Sequence, residues 1–155
     1  MSIFYHQEYL TLKIAVFLSY FTLIKMKERE LYYNAVECLN CHEILVSHSR
    51  HDYVKCSCEN ETFVDGGLEY IRYGGKDLSL VFSRPIYSDS SHETIRENLC
   101  RGSRGKDGKQ PLLYIKLKDI DNQYLEAIIA YEEQVRPNNK MLPIYREEQK
   151  WRQTL

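Results

Sequence analysis

Residues 34–75 read NAVECLNCHEILVSHSRHDYVKCSCENETFVDGGLEYIRYGG, and the spacing of the thiols in this stretch governs how everything around it is read. Cys38 and Cys41 form a C-x-x-C pair, Cys56 and Cys58 a C-x-C pair, and 14 residues separate the two. A separation of that length lets a hairpin fold back and bring both pairs to one ion. Four thiolates in a tetrahedron at ~2.3 Å hold Zn2+ in a closed site with no open coordination position. The C-x-C pair has the tighter bite, so it requires a compensating path in the backbone behind it. His42, His48 or His51 could take the place of one thiolate, and free or disulfide-bonded cysteines are the third reading. Disulfides are disfavoured because the opening MSIFYHQEY and the later KMKEREL supply neither the basic region nor the cleavage site of a secretory signal, and reducing compartments keep thiols free.

Residues 32–75 hold four of the five cysteines, three of the five histidines and four of the seven glycines. EILVSH alternates in the manner of a strand, DYVKC supplies a second and TFV a third, before the turn signal Asp65-Gly66-Gly67. That turn has no P-loop or dinucleotide-binding spacing after it, so it reads as a tight turn and not a phosphate cradle. A unit this small has too little apolar surface for a core of its own and needs a staple. The expectation is a zinc-ribbon-like β module over 32–75.

Outward from the module, residues 76–155 alternate strand and helix signals. LSLVFS reads as a strand. Ser90 and Glu93 have capping-box spacing at the head of a short helix with Ile95 and Leu99 one turn apart. Cys100 reads as a small buried apolar residue, since no histidine stands beside it to make it a nucleophile. RGSRGKDGK then marks a mobile, basic, glycine-rich loop at 101–109. Across 96–109, Arg96, Arg101, Arg104, Lys106 and Lys109 stand against Glu97 and Asp107, a local excess of three positive charges. LLYIKL is a further strand. DIDNQYLEAIIAYEEQV is a helix capped by Asp119 or Asp121, with Tyr124, Leu125, Ile128, Ile129, Tyr131 and Val135 on one face and Glu126, Glu132 and Glu133 facing away. Pro143 opens a second helix that carries Ile144 and Trp151, which completes a helical hairpin over 119–153. The fold class is therefore α+β.

The whole chain has 155 residues, 43% hydrophobic and 28% charged, with a formal charge of −1. Those values exclude collagen-like, coiled-coil and wholly disordered classes, and they leave no global field, so a charge-guided partner must meet a local patch. Residues 1–25 form an apolar N-terminal extension. Tyr9 to Ile24 is a run of 16 interrupted by Lys13, short of the ~20 residues a membrane span uses. Composition changes at Met26, a second candidate for the start of translation.

Three blocks carry a resemblance: NAVECLNC at 34–41, HDYVKCSC at 51–58 and FVDGGLEYIRYGG at 63–75. In order and spacing they resemble a set of small uncharacterised proteins of tailed bacteriophages and prophages, and residues 101–152 are similar to a second phage block. Relatives in that set tend to begin where Met26 stands. The resemblance brings no activity; it implies expression in a host bacterial cytoplasm, where zinc–thiolate sites are expected.

The functional expectation is a non-enzymatic phage accessory protein: a binding module held by Zn2+ on Cys38, Cys41, Cys56 and Cys58. It presents Arg101, Arg104, Lys106 and Lys109 to a host or phage protein or nucleic acid. His51 and Asp52 would bond the backbone of the cysteine loops. Tyr70, Arg72 and Tyr73 would pack against the helical hairpin or, if exposed, stack on a partner. A different class is a metal-dependent hydrolase or nuclease using His51, Asp52 and Asp65, against which stands the lack of a further carboxylate or histidine at ligand spacing. A third is a membrane-associated protein anchored by residues 10–24.

Overall fold

A computed structural model describes residues 29–155; the apolar extension, with the anchor reading placed on 10–24, lies outside them. Among the described residues no helix is long and apolar enough to cross a membrane. The described residues form ten short strands: β1 Leu31–Tyr33, β2 Ala35–Cys38, β3 Ile44–Val46, β4 Val54–Lys55, β5 Phe63–Asp65, β6 Arg72–Gly74, β7 Val81–Ser83, β8 Ile86–Tyr87, β9 Cys100–Ser103 and β10 Leu113–Lys116. Among the same residues are three α-helices: α1 His92–Asn98, α2 Asn122–Val135 and α3 Leu142–Arg152. The fold is α+β, as the sequence patterns require.

Among the described residues the strand pairings are antiparallel, in sheets ordered β3-β2-β7, β4-β5-β6, β1-β8 and β9-β10. The strand signal in LSLVFS resolves into a 3-10 turn over Leu78–Leu80 followed by β7, which pairs with β2. One sheet thus takes strands from both sides of residue 75. Because successive side chains on a strand point to opposite faces, β2 serves two cores. Ala35 joins Tyr33, Val46, Ile86, Leu117 and helix residues such as Leu125 and Tyr145 in the larger one. Val36 and Cys38 join Leu45, Cys56 and Val64 in the smaller. Arg84, buried just after β7, forms an ion pair with Glu37 of β2 and donates from Nη1 to the carbonyl of Glu97 at 2.9 Å, satisfying an orphan at the end of α1.

Several local expectations move by a residue or a face. Ser91, not Ser90, caps α1: its Oγ accepts from Thr94 N–H at 3.2 Å, while Ser90 Oγ accepts from Tyr87 N–H at 2.9 Å and holds the preceding turn. Asp121 caps α2 by accepting from Tyr124 N–H at 2.7 Å. On α2, Glu132 is fully buried, whereas Tyr131 and Val135 are about half exposed. Glu132 lies one turn beyond Ile128 and Ile129, so helical geometry carries it inward with them. The inward carboxylate is matched by Arg101 Nη1 at 3.0 Å and Asn139 Nδ2 at 2.7 Å. Glu148 of α3 is also fully buried, held by Arg96 Nε at 2.8 Å and Arg152 Nε at 2.7 Å. The segment read wholly as loop begins with β9, because LYIK of β10 supplies a register partner for each residue from Cys100 to Ser103. Arg72 and Tyr73 are exposed on β6 rather than covered by the helices.

Candidate metal centre

Each thiol pair sits on a tight turn that closes a strand. Cys38 ends β2 with its N–H donating to Glu43 O at 2.9 Å, and its carbonyl accepts from His42 N–H at 2.7 Å. This wraps Leu39–Cys41 back over the sheet, with His42 in the left-handed region at φ 61°. Cys56 follows β4 and donates its N–H to Thr62 O at 3.0 Å, while Glu61 N–H returns to Cys58 O at 3.0 Å. Glu61, at φ 48°, is the compensating backbone step that the short C-x-C bite needs. Asn60 locks that turn. Its Nδ2 donates to Thr62 Oγ1 at 2.8 Å and its Oδ1 accepts from Asp77 N–H at 2.7 Å, tying the second knuckle to the chain beyond β6. Nothing in the sequence around Asn60 singled it out, because its role is set by Asp77, 17 residues away.

Val36 and Cys38 of β2 pack in one core with Val64 of β5 and with Cys56 just after β4, which brings the two turns together. The four Sγ atoms all lie within 4.8 Å of one another, and among the described residues they are the group of cysteine, histidine and carboxylate ligands that converges in this way. Cys38 and Cys56 are buried, Cys58 is partly buried and Cys41 faces solvent. Sγ of Cys58 lies 3.5 Å from that of Cys38 and 3.4 Å from that of Cys56. A disulfide would require ~2.05 Å. Tetrahedral thiolates at ~2.3 Å from one ion stand about 3.8 Å apart, so the set fits a single metal with small adjustments.

The surroundings favour thiolate at part of the cluster even before a cation is considered. Burial opposes ionisation of Cys38, but hydrogen bonds from the Thr62 hydroxyl and from the N–H groups of Cys41 and Asn40 outweigh it and bring the thiol down to about 6. The Asn40 side chain lowers Cys58. Burial pushes Cys56 up and Cys41 to about 12, with the neighbouring sulfurs adding to both. Crowded thiols cannot all ionise alone; a dication among them reverses that balance.

His42 is exposed, with Nδ1 3.9 Å from Glu37 Oε1, and His48 is exposed in the β3–β4 loop. Asp52 Oδ2 accepts from His48 N–H at 2.7 Å, so it braces the β3–β4 loop instead of the cysteine turns. His51, at φ 63°, places Nδ1 3.3 Å from the Tyr70 hydroxyl, which donates to Asp65 Oδ2 at 3.2 Å. Asp65 also accepts from Gly66 N–H at 2.8 Å and Arg72 Nη2 at 2.5 Å. The hydrolase triad therefore does not assemble: Asp52 points away, and Asp65 is spent on its own turn. Cys100 is buried apart from the cluster, its thiol pushed up by burial, which suits a core residue.

Of the four residues read as a basic surface, Arg101 turns inward. It lies on β9 and bonds Glu132 and the Tyr145 hydroxyl, so the exposed cations of the hairpin tip are Arg104, Lys106 and Lys109.

The fold and the site together define an α+β protein with a four-cysteine centre able to hold a metal. A family model described as a domain of unknown function (DUF7695) matches residues 30–75, the stretch that contains both knuckles and the Asp65–Tyr70 turn. No curated protein and no solved structure matches the chain.

Proposed function

We propose that this chain is a zinc-stabilised binding module, a phage accessory protein without catalytic activity that acts on a host or phage macromolecule in the bacterial cytoplasm. The convergence of Cys38, Cys41, Cys56 and Cys58 within 4.8 Å carries the reading. An all-thiolate set is soft and suits zinc, and four protein ligands leave no position for a substrate. Its role is then to rigidify the β sheets that present the rest of the surface. The hairpin tip supports a partner-binding role: Arg104, Lys106 and Lys109 are exposed against Asp107 alone, a setting open to phosphates or carboxylates. The phage assignment rests on the sequence resemblance.

Elemental analysis of the untagged chain tests the centre. One zinc per chain is expected, released on thiol modification. Cys38→Ser is expected to lose the metal and unfold the β sheets around it, because zinc affinity is folding free energy here. A variant that retains both zinc and its thermal midpoint would overturn the centre. Binding of a labelled oligonucleotide or of host proteins, compared between wild type and an Arg104→Glu, Lys106→Glu, Lys109→Glu variant, tests the tip; unchanged binding removes it from the interface.

A further inference from the structure

Ion pairing sorts the cations of this chain by place. Most of the described arginines and lysines stand beside a carboxylate, whether buried, as Arg84 and Arg152 are, or at the surface, as Lys55 and Arg146 are. Among the described residues those without such a partner are Arg104, Lys106, Lys109, Lys116 and Lys150. All of these except Lys150 belong to the β9–β10 hairpin: Lys116 at its foot, opposite Cys100, and the other three at its tip. The one carboxylate of the tip, Asp107, accepts from Lys109 N–H at 3.1 Å and serves the turn. The fold thus neutralises its cations elsewhere and gathers the unneutralised ones on a single element.

The shape of that element is a second, independent observation. Residues 104–113 are exposed without interruption, so the end of the hairpin is a two-stranded ribbon in solvent. Its strands pair from Cys100 with Lys116 to Ser103 with Leu113, and Gln110 N–H donating to Arg104 O at 2.9 Å carries the ribbon one step further. Gly108 N–H meets Gly105 O at 3.2 Å to close the tip, and these two glycines sit at φ 70° and 74°, where a side chain would be strained. Strands of such a pair run about 4.8 Å apart, and Gly102, Ser103, Gly105 and Gly108 add little width. From Arg104 to Gln110 there is no apolar and no aromatic side chain.

We infer that the β9–β10 ribbon docks in the major groove of B-form DNA, with Arg104, Lys106 and Lys109 on the phosphates that border it. The inference rests on the binding-module reading and names its partner. A major groove about 12 Å wide admits a two-stranded ribbon, whereas the deep, narrow major groove of duplex RNA shuts side chains out. Single strands are held on aromatic platforms, which the tip lacks. A protein partner calls for an apolar centre with aromatic anchors, and the exposed Leu112 and Leu113 lie beyond Pro111, away from the cations. Cations without carboxylate partners give up no ion pair when they meet a phosphate, and the counterions they displace drive association. The chain as a whole has a formal charge of −1, which confines the contact to the ribbon.

Fluorescence anisotropy of a labelled DNA duplex of mixed sequence, titrated with the full chain, tests this beside a single strand of the same sequence and an RNA duplex. The DNA duplex is expected to bind at least about tenfold more tightly than either. Its affinity should fall by about 50- to 100-fold between about 20 and about 100 mM salt, the slope of roughly three phosphate contacts. The double variant Lys106→Gln, Lys109→Gln should lose about two contacts from that slope at an unchanged melting temperature. Lys150→Gln, which removes the unpaired lysine on α3, should change neither affinity nor slope. Equal affinity for the single strand or the RNA duplex would overturn the inference, as would an unchanged slope in the double variant or an equal loss with Lys150→Gln. A polyglutamate peptide that binds through the tip where the DNA duplex does not assigns the tip to carboxylates and overturns it too. Zinc content of the same preparation separates the two readings: a zinc-loaded chain without affinity for the duplex overturns the inference and leaves the zinc-stabilised module, whereas duplex binding by a folded, zinc-free chain supports the inference and overturns the zinc centre.

Discussion

At Gly66 the backbone sits at φ 109°, and a Cβ there would lie 2.2 Å from the Tyr70 carbonyl oxygen. That turn carries Tyr70, which joins His51 to Asp65, so an added methyl must displace backbone at the centre of the network. Gly66→Ala is expected to destabilise the fold by about 2–4 kcal/mol, read as a lower denaturant midpoint; an unchanged midpoint would show that the turn is free to move. At Glu132, burial alone would raise the carboxyl, but bonds from Asn139 and Arg101 win and hold it below the usual glutamate range. A depressed folded pKa means the stabilisation is complete above the unfolded value of ~4.3 and is lost as pH falls through the folded one. Glu132→Gln should therefore cost about 2–4 kcal/mol near neutral pH, with the gap to wild type closing on acidification below about pH 4. A gap that does not depend on pH would mean the loss is one of packing.

The elements were legible where a local rule decides them. Asp121, one of two candidate caps with Asp119 before an apolar 3.6-residue repeat, caps α2; Asp121→Ala should cost about 1 kcal/mol, seen as a lower melting temperature with helical ellipticity otherwise intact. Pro143 stands in the first turn of α3 as expected. Elements that rest on a distant partner were not legible. CRGS has poor intrinsic strand character and becomes β9 through its register with LYIK. Leu31–Tyr33 and Ile86–Tyr87 are a pair only because the chain returns after more than fifty residues. On α2 the polarity pattern places Glu132 outward and Tyr131 and Val135 inward, opposite to the structure, because the arginine that makes burial of Glu132 tolerable comes from β9.

For the molecule as a whole, the sharing of β2 and β3 between two cores has a thermodynamic consequence. Val36 and Leu45 back the cysteine turns while Ala35 and Val46 back the helices. Disorder at the metal centre must therefore pass into the helical core. If the centre holds the proposed zinc, its removal with a chelator is expected to lower the near-ultraviolet tyrosine signal and the helical signal in one transition. Two separate transitions would show that the β sheets and the helices fold independently.

From its sequence alone this protein was determined to be α+β, with two thiol pairs spaced to share one ion, a capped helix after β10 and a second helix opened by a proline. Those features depend on neighbours a few residues apart or on a hairpin of predictable length. Only the tertiary structure decided that Arg101 faces inward, that β7 crosses to β2, and that His51 meets Asp65 through Tyr70 while Asp52 braces the β3–β4 loop. Except for the bonds of Asp52 and Asp65, which reach partners within seven residues, these are pairings between segments far apart in sequence, in which burial makes a charge or an amide seek whatever partner the completed fold brings near.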